Sequence, residues 1–315
     1  MRIPFIILRE IHMNIVATIV PIFIVISLGW LAFHKGYMPK AFCDAANQLV
    51  YYLAIPAMIF RAIAKASFKH QFNPTVVVIA LAVIFIAFLL SIFTARFFRI
   101  KENRIGSFAQ CSYHGNLGYV GLAVAYYYMG DEGFVKASIL TGFIVIFQNI
   151  LSVVVLNLFS DTGRSGLMKM AVRIMGNPVI IASIAGIFFS VSEIHIHVII
   201  ERTLDIIKGM ALPLALLIIG SSLSFDLIKD KVKPVFYASI IKLLILPAFG
   251  FCLFKMLHIN AADYLPALIL LSSPAATVAF IMAKQMNGDT DFAVAAVSGS
   301  TLFSSITFFL WLHMA

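Results

Sequence analysis

The sequence predicts an all-α integral membrane protein of ten transmembrane helices, arranged as two inverted five-helix repeats with crossed, broken helices at spans four and nine. The prediction rests on an apolar composition, apolar runs of spanning length and landmarks that recur at a constant offset. Of the 315 residues, 62% are apolar and 12% are charged, and the mean hydropathy is +1.00. A soluble domain carries about 25% charged and roughly 45–50% apolar residues. The composition is therefore typical of a chain that folds in lipid.

The charged residues and cysteines exclude several other protein classes. The net charge of +9 comes from Lys and Arg scattered between apolar runs, as in cytoplasmic loops, and not from the basic stripe of a nucleic-acid-binding protein. Cys43, Cys111 and Cys252 have no CxxC spacing, so neither a metal site nor a disulfide framework is expected. The sequence contains no P-loop; we expect no ATP site, no other cofactor and no enzymatic activity.

Ten apolar runs are long enough to cross a membrane as helices. A hydrocarbon core of ~30 Å needs about 20 apolar residues per helix, and charges, Gly and Pro separate the runs. A polar, Gly-rich stretch lies in the middle of the chain, so we predict a first repeat over 1–160, a linker over 161–166 and a second repeat over 167–315. The predicted spans are 14–34, 42–64, 74–97, 105–129, 133–158, 167–190, 198–223, 233–257, 262–286 and 290–312.

Four landmarks of the first half recur in the second half at an almost constant spacing. Such a pattern indicates an internal duplication. Because each half holds five spans, an odd number, the second half must enter the membrane from the opposite side, as in many secondary transporters. The matched pairs are Pro21 with Pro178 and Pro56 with Pro213 at an offset of 157 residues, and Asn116 with Pro274 and Gly130 with Gly288 at 158.

Spans four and nine are each interrupted near the middle, at matching positions of the repeat. Span four contains Gly115 and Asn116, and span nine contains Pro274. Glycine weakens a helix, and proline removes one of its hydrogen bonds. In lipid, such a break persists only where protein or a water-filled cavity satisfies the freed backbone groups. The pair of breaks therefore predicts a binding site near the membrane midplane.

The breaks favour a small organic anion as the ligand. Each new half-helix begins with unpaired N–H groups that carry roughly +0.5 of a charge, and two such ends attract an anion. The Asn116 amide is a donor for a carboxylate oxygen, and kinks in packed helices are the alternative explanation of the breaks. The candidate binding residues are Gly115, Asn116, Leu117, Gly118, Tyr119, Pro274, Ala275, Ala276 and Thr277.

Ionisable residues inside the spans are candidates for ion coupling or gating. His114, beside the first break, would contact the anion or carry a coupled proton; alternatively, it donates to a carbonyl that the break has freed. Asp205 and Lys208 lie three residues apart on one face of span seven, with Lys242 of the next span as a second cation. This group is either a gating or coupling cluster, for H+ or Na+, or an ion pair that fixes helix packing.

The distribution of basic residues predicts the orientation in the membrane. If the N-terminus is outside, the cytoplasmic connections hold thirteen Lys and Arg residues and the opposite face holds eight. Basic residues concentrate on the cytoplasmic side. We therefore expect both termini on the outer side of the plasma membrane, which in a bacterium is the inner membrane.

The sequence resembles the auxin efflux carrier family, which includes the plant PIN-type carriers and bacterial permeases labelled malonate transporters. The resemblance covers essentially the whole chain. In plant members a Pro-Asn break in span four holds the auxin carboxylate; Gly115 and Asn116 occupy that place here. Many bacterial relatives have Gly-Leu-Pro after the break, whereas this chain has Ala123 at the third position. The segments that carry the resemblance are 53–57, 115–122, 176–178, 212–215, 219–223, 242–247 and 274–283.

The resemblance implies two inverted five-helix halves, a mobile transport part built on the crossed fourth and ninth helices, and a scaffold that includes the second and seventh and often dimerises. The function predicted is a secondary carrier of a carboxylate, such as malonate or an auxin-like acid, that works by alternating access. The expected partners are the anion, the lipid bilayer and a second copy of the chain. The alternatives are a sodium/proton antiporter or bile-acid-type symporter of similar crossed-helix build, and an anion channel that uses the half-helices as a filter. No acid pair lies at either break, which argues against the antiporter.

Overall fold

A computed structural model describes residues 5–159 and 176–315 of the chain. The predicted linker 161–166 and residues 167–175 of the sixth predicted span lie outside the described residues. Regular structure in the described part is helical, and an isolated antiparallel bridge joins Gly115 to Ala275. The predicted all-helical fold is thus confirmed for the part of the chain that the structure describes.

The first half contains helices broken by π-helical turns and by a kink. The last helix of this half is kinked at Gly130, which has a φ of 68°. Glycine has no Cβ and adopts this backbone conformation without strain. The helices are α1 (Phe5–His34), α2 (Lys40–Leu49), α3 (Ile55–Lys65), α4 (Phe68–Gln71), α5 (Pro74–Phe97), α6 (Glu102–Tyr113) and α7 (Leu122–Leu158), with π-helical turns at Val50–Ala54 and Leu117–Gly121.

The second half has a similar succession of long and interrupted helices. Its helices are α8 (Pro178–Val191), α9 (Val198–Lys208), α10 (Ala211–Ser221), α11 (Asp226–Lys229), α12 (Val232–Ile240), α13 (Leu246–Met256), α14 (Ala261–Leu271), α15 (Val278–Gln285) and α16 (Thr290–Met314), with a π-helical turn at Ile241–Ile245.

Six helical stretches in the described ranges are long and apolar enough to cross a membrane. Two shorter apolar helices, α8 and α14, accompany them. These findings agree with an integral membrane protein, while the count of ten spans and their inversion stay predictions. The six stretches are Asn14–His34, Pro74–Phe97, Leu117–Leu158, Val198–Ser221, Val232–Met256 and Thr290–Met314.

Spans two and seven, predicted as continuous helices, are both interrupted just before a proline. The π-helical turn Val50–Ala54 precedes Pro56, and a turn at Gly209 and Met210 precedes Pro213. Proline lacks the N–H of a regular helix and its ring clashes with the carbonyl four residues earlier. The backbone therefore leaves regular α-helical geometry one turn before each proline, a detail that hydropathy does not predict.

Two helices begin at an Asn-Pro sequence. The Asn73 side chain accepts hydrogen bonds from the N–H groups of Thr75 and Val76, at 3.1 and 3.3 Å. Asn177 accepts likewise from Val179 at 2.9 Å. In both, proline follows at the first helical position, where its missing N–H costs nothing. These caps fix the starts of α5 and α8.

Close helix packing between the two halves occurs in two places that are equivalent in the repeat. Gly29 of α1 lies against the backbone of Leu217 in α10, so closely that a Cβ at Gly29 would overlap it. Gly186 of α8 lies against α3, where an added Cβ would be 3.3 Å from the Phe60 carbonyl oxygen. Both pairs, Gly29 with Gly186 and Phe60 with Leu217, are separated by 157 residues, the offset at which Pro56 matches Pro213.

Two ion pairs join the outer ends of the broken helices to the opposite half. Arg104, at the start of α6, binds Asp289 at the start of α16, with 2.7 Å between Nε and Oδ2. Lys136 of α7 binds Asp263, at the start of α14, at 2.9 Å. The two broken helices are thus anchored at their outer ends as well as at the centre.

Candidate functional site

The two breaks lie side by side and are joined by reciprocal backbone hydrogen bonds. The Asn116 N–H donates to the Pro274 carbonyl at 2.7 Å, and the Ala276 N–H donates to the His114 carbonyl at 2.9 Å. The sequence predicts that Asn116 and Pro274 meet, and the structure brings them together. We call residues 114–119 and 272–278 the crossing.

Glycine at position 115 allows the two segments to approach. A Cβ at Gly115 would lie 2.5 Å from the Ser273 hydroxyl oxygen and 3.2 Å from Cε of Lys242. No side chain fits at such distances without movement of a neighbour. Gly121 has a similar role one turn later, because its added Cβ would lie 2.9 Å from Leu270 Cδ2. Span four therefore needs small residues here for close packing.

The crossing leaves backbone donors unpaired at the start of both second half-helices. The N–H groups of Gly118 and Tyr119 donate no hydrogen bond to a described residue, and the same is true of Thr277 and Val278. Gly118 and Thr277 are only partly buried, so this side of the crossing is accessible. Four free donors at two positive helix ends form an anion-binding arrangement.

The Asn116 side chain adds a donor to this arrangement. Asn116 is 5% exposed, and its Nδ2 has no hydrogen-bond partner in the described structure. A buried amide without a partner loses about 1–3 kcal/mol of hydrogen bonding. A ligand carboxylate would recover that loss, so Asn116 is the side chain best prepared to bind one.

The other predicted binding residues have structural tasks at the crossing. Leu117 is buried in the core. The Tyr119 hydroxyl donates to Oδ1 of Asn47 in α2 at 2.8 Å, which ties the crossing to span two. The Ala275 N–H donates to the Ser300 hydroxyl of α16 at 3.0 Å. Because these donors are occupied, the free amides and Asn116 carry most of the capacity to bind an anion.

His114 faces α7 and not the open side of the crossing. Its Nδ1 lies 2.8 Å from the Ser152 hydroxyl, and Tyr113 donates to the same hydroxyl at 3.2 Å. The Gln148 side chain donates to the Tyr113 carbonyl, at the end of α6, at 3.1 Å. His114 therefore belongs to a buried polar network that stabilises the break, and within the described residues its imidazole bonds to a hydroxyl and not to a carbonyl.

Lys242 lies at the crossing, apart from Asp205 and Lys208. Its Nζ donates to the Leu271 carbonyl at 2.6 Å, at the end of α14. Asp205 instead pairs with Lys208 at 2.8 Å and with Arg61 of α3 at 3.4 Å. The expectation of one cluster that includes Lys242 is therefore wrong, because α12 and its π-helical turn place Lys242 against the broken helices.

The sequence prediction missed three serines that lie in the crossing or contact it. Ser273 contacts Gly115, Ser300 accepts the Ala275 N–H, and Ser152 binds His114. The pair Ser272-Ser273 directly before Pro274 is a sequence signal for the first of them. The local sequence holds no such signal for Ser152 and Ser300. Serines are common in apolar helices, where the hydroxyl donates a hydrogen bond to a carbonyl of the preceding turn.

The chain matches the model of a family described as "Membrane transport protein" over residues 14–172 and 164–312. It is 26% identical to an uncharacterised transporter of Methanocaldococcus jannaschii over 297 residues, covering 92% of the chain and 95% of the relative. It is 24% identical to a Rhizobium meliloti protein named "Putative malonate transporter", over 93% of both chains. An uncharacterised transporter of Escherichia coli K12 is 22% identical over 95% of the chain and 97% of the relative.

Proposed function

The chain belongs to this membrane transport protein family, to which the auxin efflux carriers also belong, and from that premise we propose that it is a secondary carrier of a small organic anion. It is a multi-pass membrane protein and a transporter. The carrier works by alternating access, in which the crossing faces the two sides of the membrane in turn. The name of the Rhizobium meliloti relative supports a carboxylate such as malonate.

The observation that carries the proposal is the set of unpaired donors at the crossing. The carboxylate binds to Nδ2 of Asn116 and to the free amides that begin the two second half-helices, at Gly118 and Thr277. Fixed N–H groups at helix ends favour negative charge without needing a basic side chain. The hydroxyl of Thr277, a partly buried residue, adds a further donor.

The architecture that we propose is the ten-span inverted repeat. The repeated close contacts support it, since Gly29 on Leu217 and Gly186 on Phe60 are the same contact at the same offset. The bond between Asn116 and Pro274 supports it as well, because it joins matched landmarks of the two halves directly. The contacts of α1 with α10 and of α3 with α8 form the scaffold, and a dimer through scaffold helices stays a prediction.

Binding and transport assays test this function. Purified protein in detergent is screened by thermal shift with acetate, lactate, indole-3-acetate, malonate and succinate, and we expect at least one of them to raise the melting temperature. Counterflow in proteoliposomes then separates a carrier from a channel, because a carrier saturates and exchanges labelled for unlabelled anion. Flux that rises linearly with concentration and shows no exchange would favour the channel. Absence of binding and exchange for every carboxylate would contradict the proposal.

A further inference from the structure

A buried lysine lies at the centre of the crossing without a carboxylate partner. Lys242 is 1% exposed, and among the described residues the ion pairs within 4.0 Å include none to its ammonium. An isolated buried charge is costly, more so in a bilayer. A charged Lys242 at this position needs a source of negative charge, and otherwise the amine is neutral.

Part of that charge comes from the end of a half-helix. The Leu271 carbonyl that accepts a hydrogen bond from Lys242 belongs to the last turn of α14, where a helix carries roughly −0.5 of a charge. Ends of this kind coordinate coupling cations in transporters with broken helices. The ammonium of Lys242 thus occupies a place suited to a soluble cation, and about half of its charge is left to be balanced.

The contacts of Lys242 tie it to the elements around the crossing. Its Cε lies beside Gly115, its Nζ binds α14, and the π-helical turn that holds it packs against α5, α6 and α16. All of these elements surround the crossing. The lysine and the bound anion would therefore move relative to the membrane as one unit.

On the basis of the proposed function, we propose that the Lys242 ammonium is the counter-charge of the transported carboxylate and takes the place of a soluble coupling cation. A carboxylate with one negative charge forms a neutral complex with the crossing. A dicarboxylate forms a complex with one net negative charge. Transport needs no sodium, because the cation is part of the chain.

The test measures exchange in proteoliposomes with saturating probe on both sides, at zero potential and at about 100 mV set by a potassium gradient with valinomycin. The probes are lactate and malonate, with one and two negative charges near neutral pH. One elementary charge that crosses the full potential of about 100 mV shifts a two-sided equilibrium by about fiftyfold. We expect wild-type exchange of lactate to be unchanged by the potential and that of malonate to be slowed several-fold.

Lys242→Gln keeps a donor for Leu271 but removes the charge. We expect lactate exchange in this variant to become as sensitive to potential as malonate exchange is in the wild type, and malonate exchange to become more so. Lys255→Gln is the matched control, since Lys255 lies in α13 on the exposed surface and its replacement should leave potential dependence unchanged. Replacement of sodium by choline should leave wild-type exchange unchanged.

Three results would overturn the inference. They are sodium-dependent exchange, lactate exchange by the wild type that varies with potential, and a folded Lys242→Gln variant whose exchange depends on potential as in the wild type. The first two need only wild-type protein, so the inference stays testable if Lys242→Gln does not fold. Failure of the wild type to bind or exchange any carboxylate is a different result, which would refute the proposed function and this inference with it.

Discussion

The backbone N–H of Asn116 donates a hydrogen bond of 2.7 Å to the carbonyl of Pro274, a residue 158 positions later in the chain. The bond uses the backbone of Asn116 and leaves its side-chain amide unpaired. The structural role of Asn116 and its proposed binding role therefore fall on different atoms of one residue. A change of the side chain should affect the ligand and spare the crossing.

Asn116→Ala should weaken carboxylate binding about ten- to a hundredfold. The variant loses one hydrogen bond to a charged group, worth about 1.5–3 kcal/mol, and keeps the helix-end amides. Titration calorimetry or thermal shift with the best carboxylate of the screen measures the change. Asn149→Ala, at a partly buried asparagine of α7, is the matched control. Unchanged affinity in folded Asn116→Ala would move the anion away from this residue.

Pro274→Ala should weaken anion binding without removing a ligand contact. The new N–H allows α14 to continue through the break, so that the free amides of Thr277 and Val278 become paired and one positive helix end is lost. Binding is measured as for Asn116→Ala. Pro266→Ala, inside the same helix but one to two turns before the break, should retain affinity. Equal losses in both variants would show a general effect of helix flexibility.

Gly115→Ala should destabilise the protein by about 1–3 kcal/mol, the usual cost of overpacking. Its Cβ would lie 2.5 Å from the Ser273 hydroxyl oxygen. The double variant Gly115→Ala, Ser273→Ala removes that hydroxyl and should recover part of the lost melting temperature. Gly118→Ala, where the nearest atom to an added Cβ is 3.9 Å away, should unfold near the wild-type temperature. If the double variant lost more stability than the two single variants together, a clash with the Ser273 hydroxyl would not explain the destabilisation by Gly115→Ala.

The Asp205 group should stabilise the fold through Arg61 and not through Lys208. Arg61 has an 8% exposed side chain and pairs with Glu201 and Asp205, whereas the Lys208 side chain is 42% exposed. We expect Arg61→Gln to cost about 1–3 kcal/mol, because it removes a buried cation and its charge-assisted hydrogen bond to Glu201. Lys208→Gln should cost at most about 1 kcal/mol, as for other exposed pairs. Thermal unfolding compares them. A larger loss for Lys208→Gln, or lost transport in either stable variant, would favour a gating role.

The orientation prediction is tested with a reporter that is active only in the cytoplasm. Fused after Ala315, it should be silent, because thirteen basic residues against eight place both termini outside. The same reporter inserted at 161–166, in the predicted cytoplasmic linker, should be active. Activity of the C-terminal fusion together with a silent insertion would reverse the orientation.

The sequence was sufficient to predict the helical membrane fold and the position of the breaks. The length of an apolar run is read directly from the sequence. These runs coincide with long helices of the structure, such as Pro74–Phe97. The effects of Gly115 and Pro274 on a helix are local, since one lacks a Cβ and the other an N–H. The offset of 157–158 residues pairs the two breaks from the sequence alone.

The tertiary structure alone decided which side chains meet at those breaks. Lys242 follows Asp205 and Lys208 in the sequence, and hydropathy places all three in neighbouring spans. The π-helical turn Ile241–Ile245 changes which face of its helix Lys242 occupies, and the packing of α14 brings the Leu271 carbonyl to its ammonium. Contacts between distant segments depend on helix rotation and on packing. A single extra residue in one turn rotates the rest of the helix about its axis. The pattern of apolar residues along the sequence does not reveal this rotation.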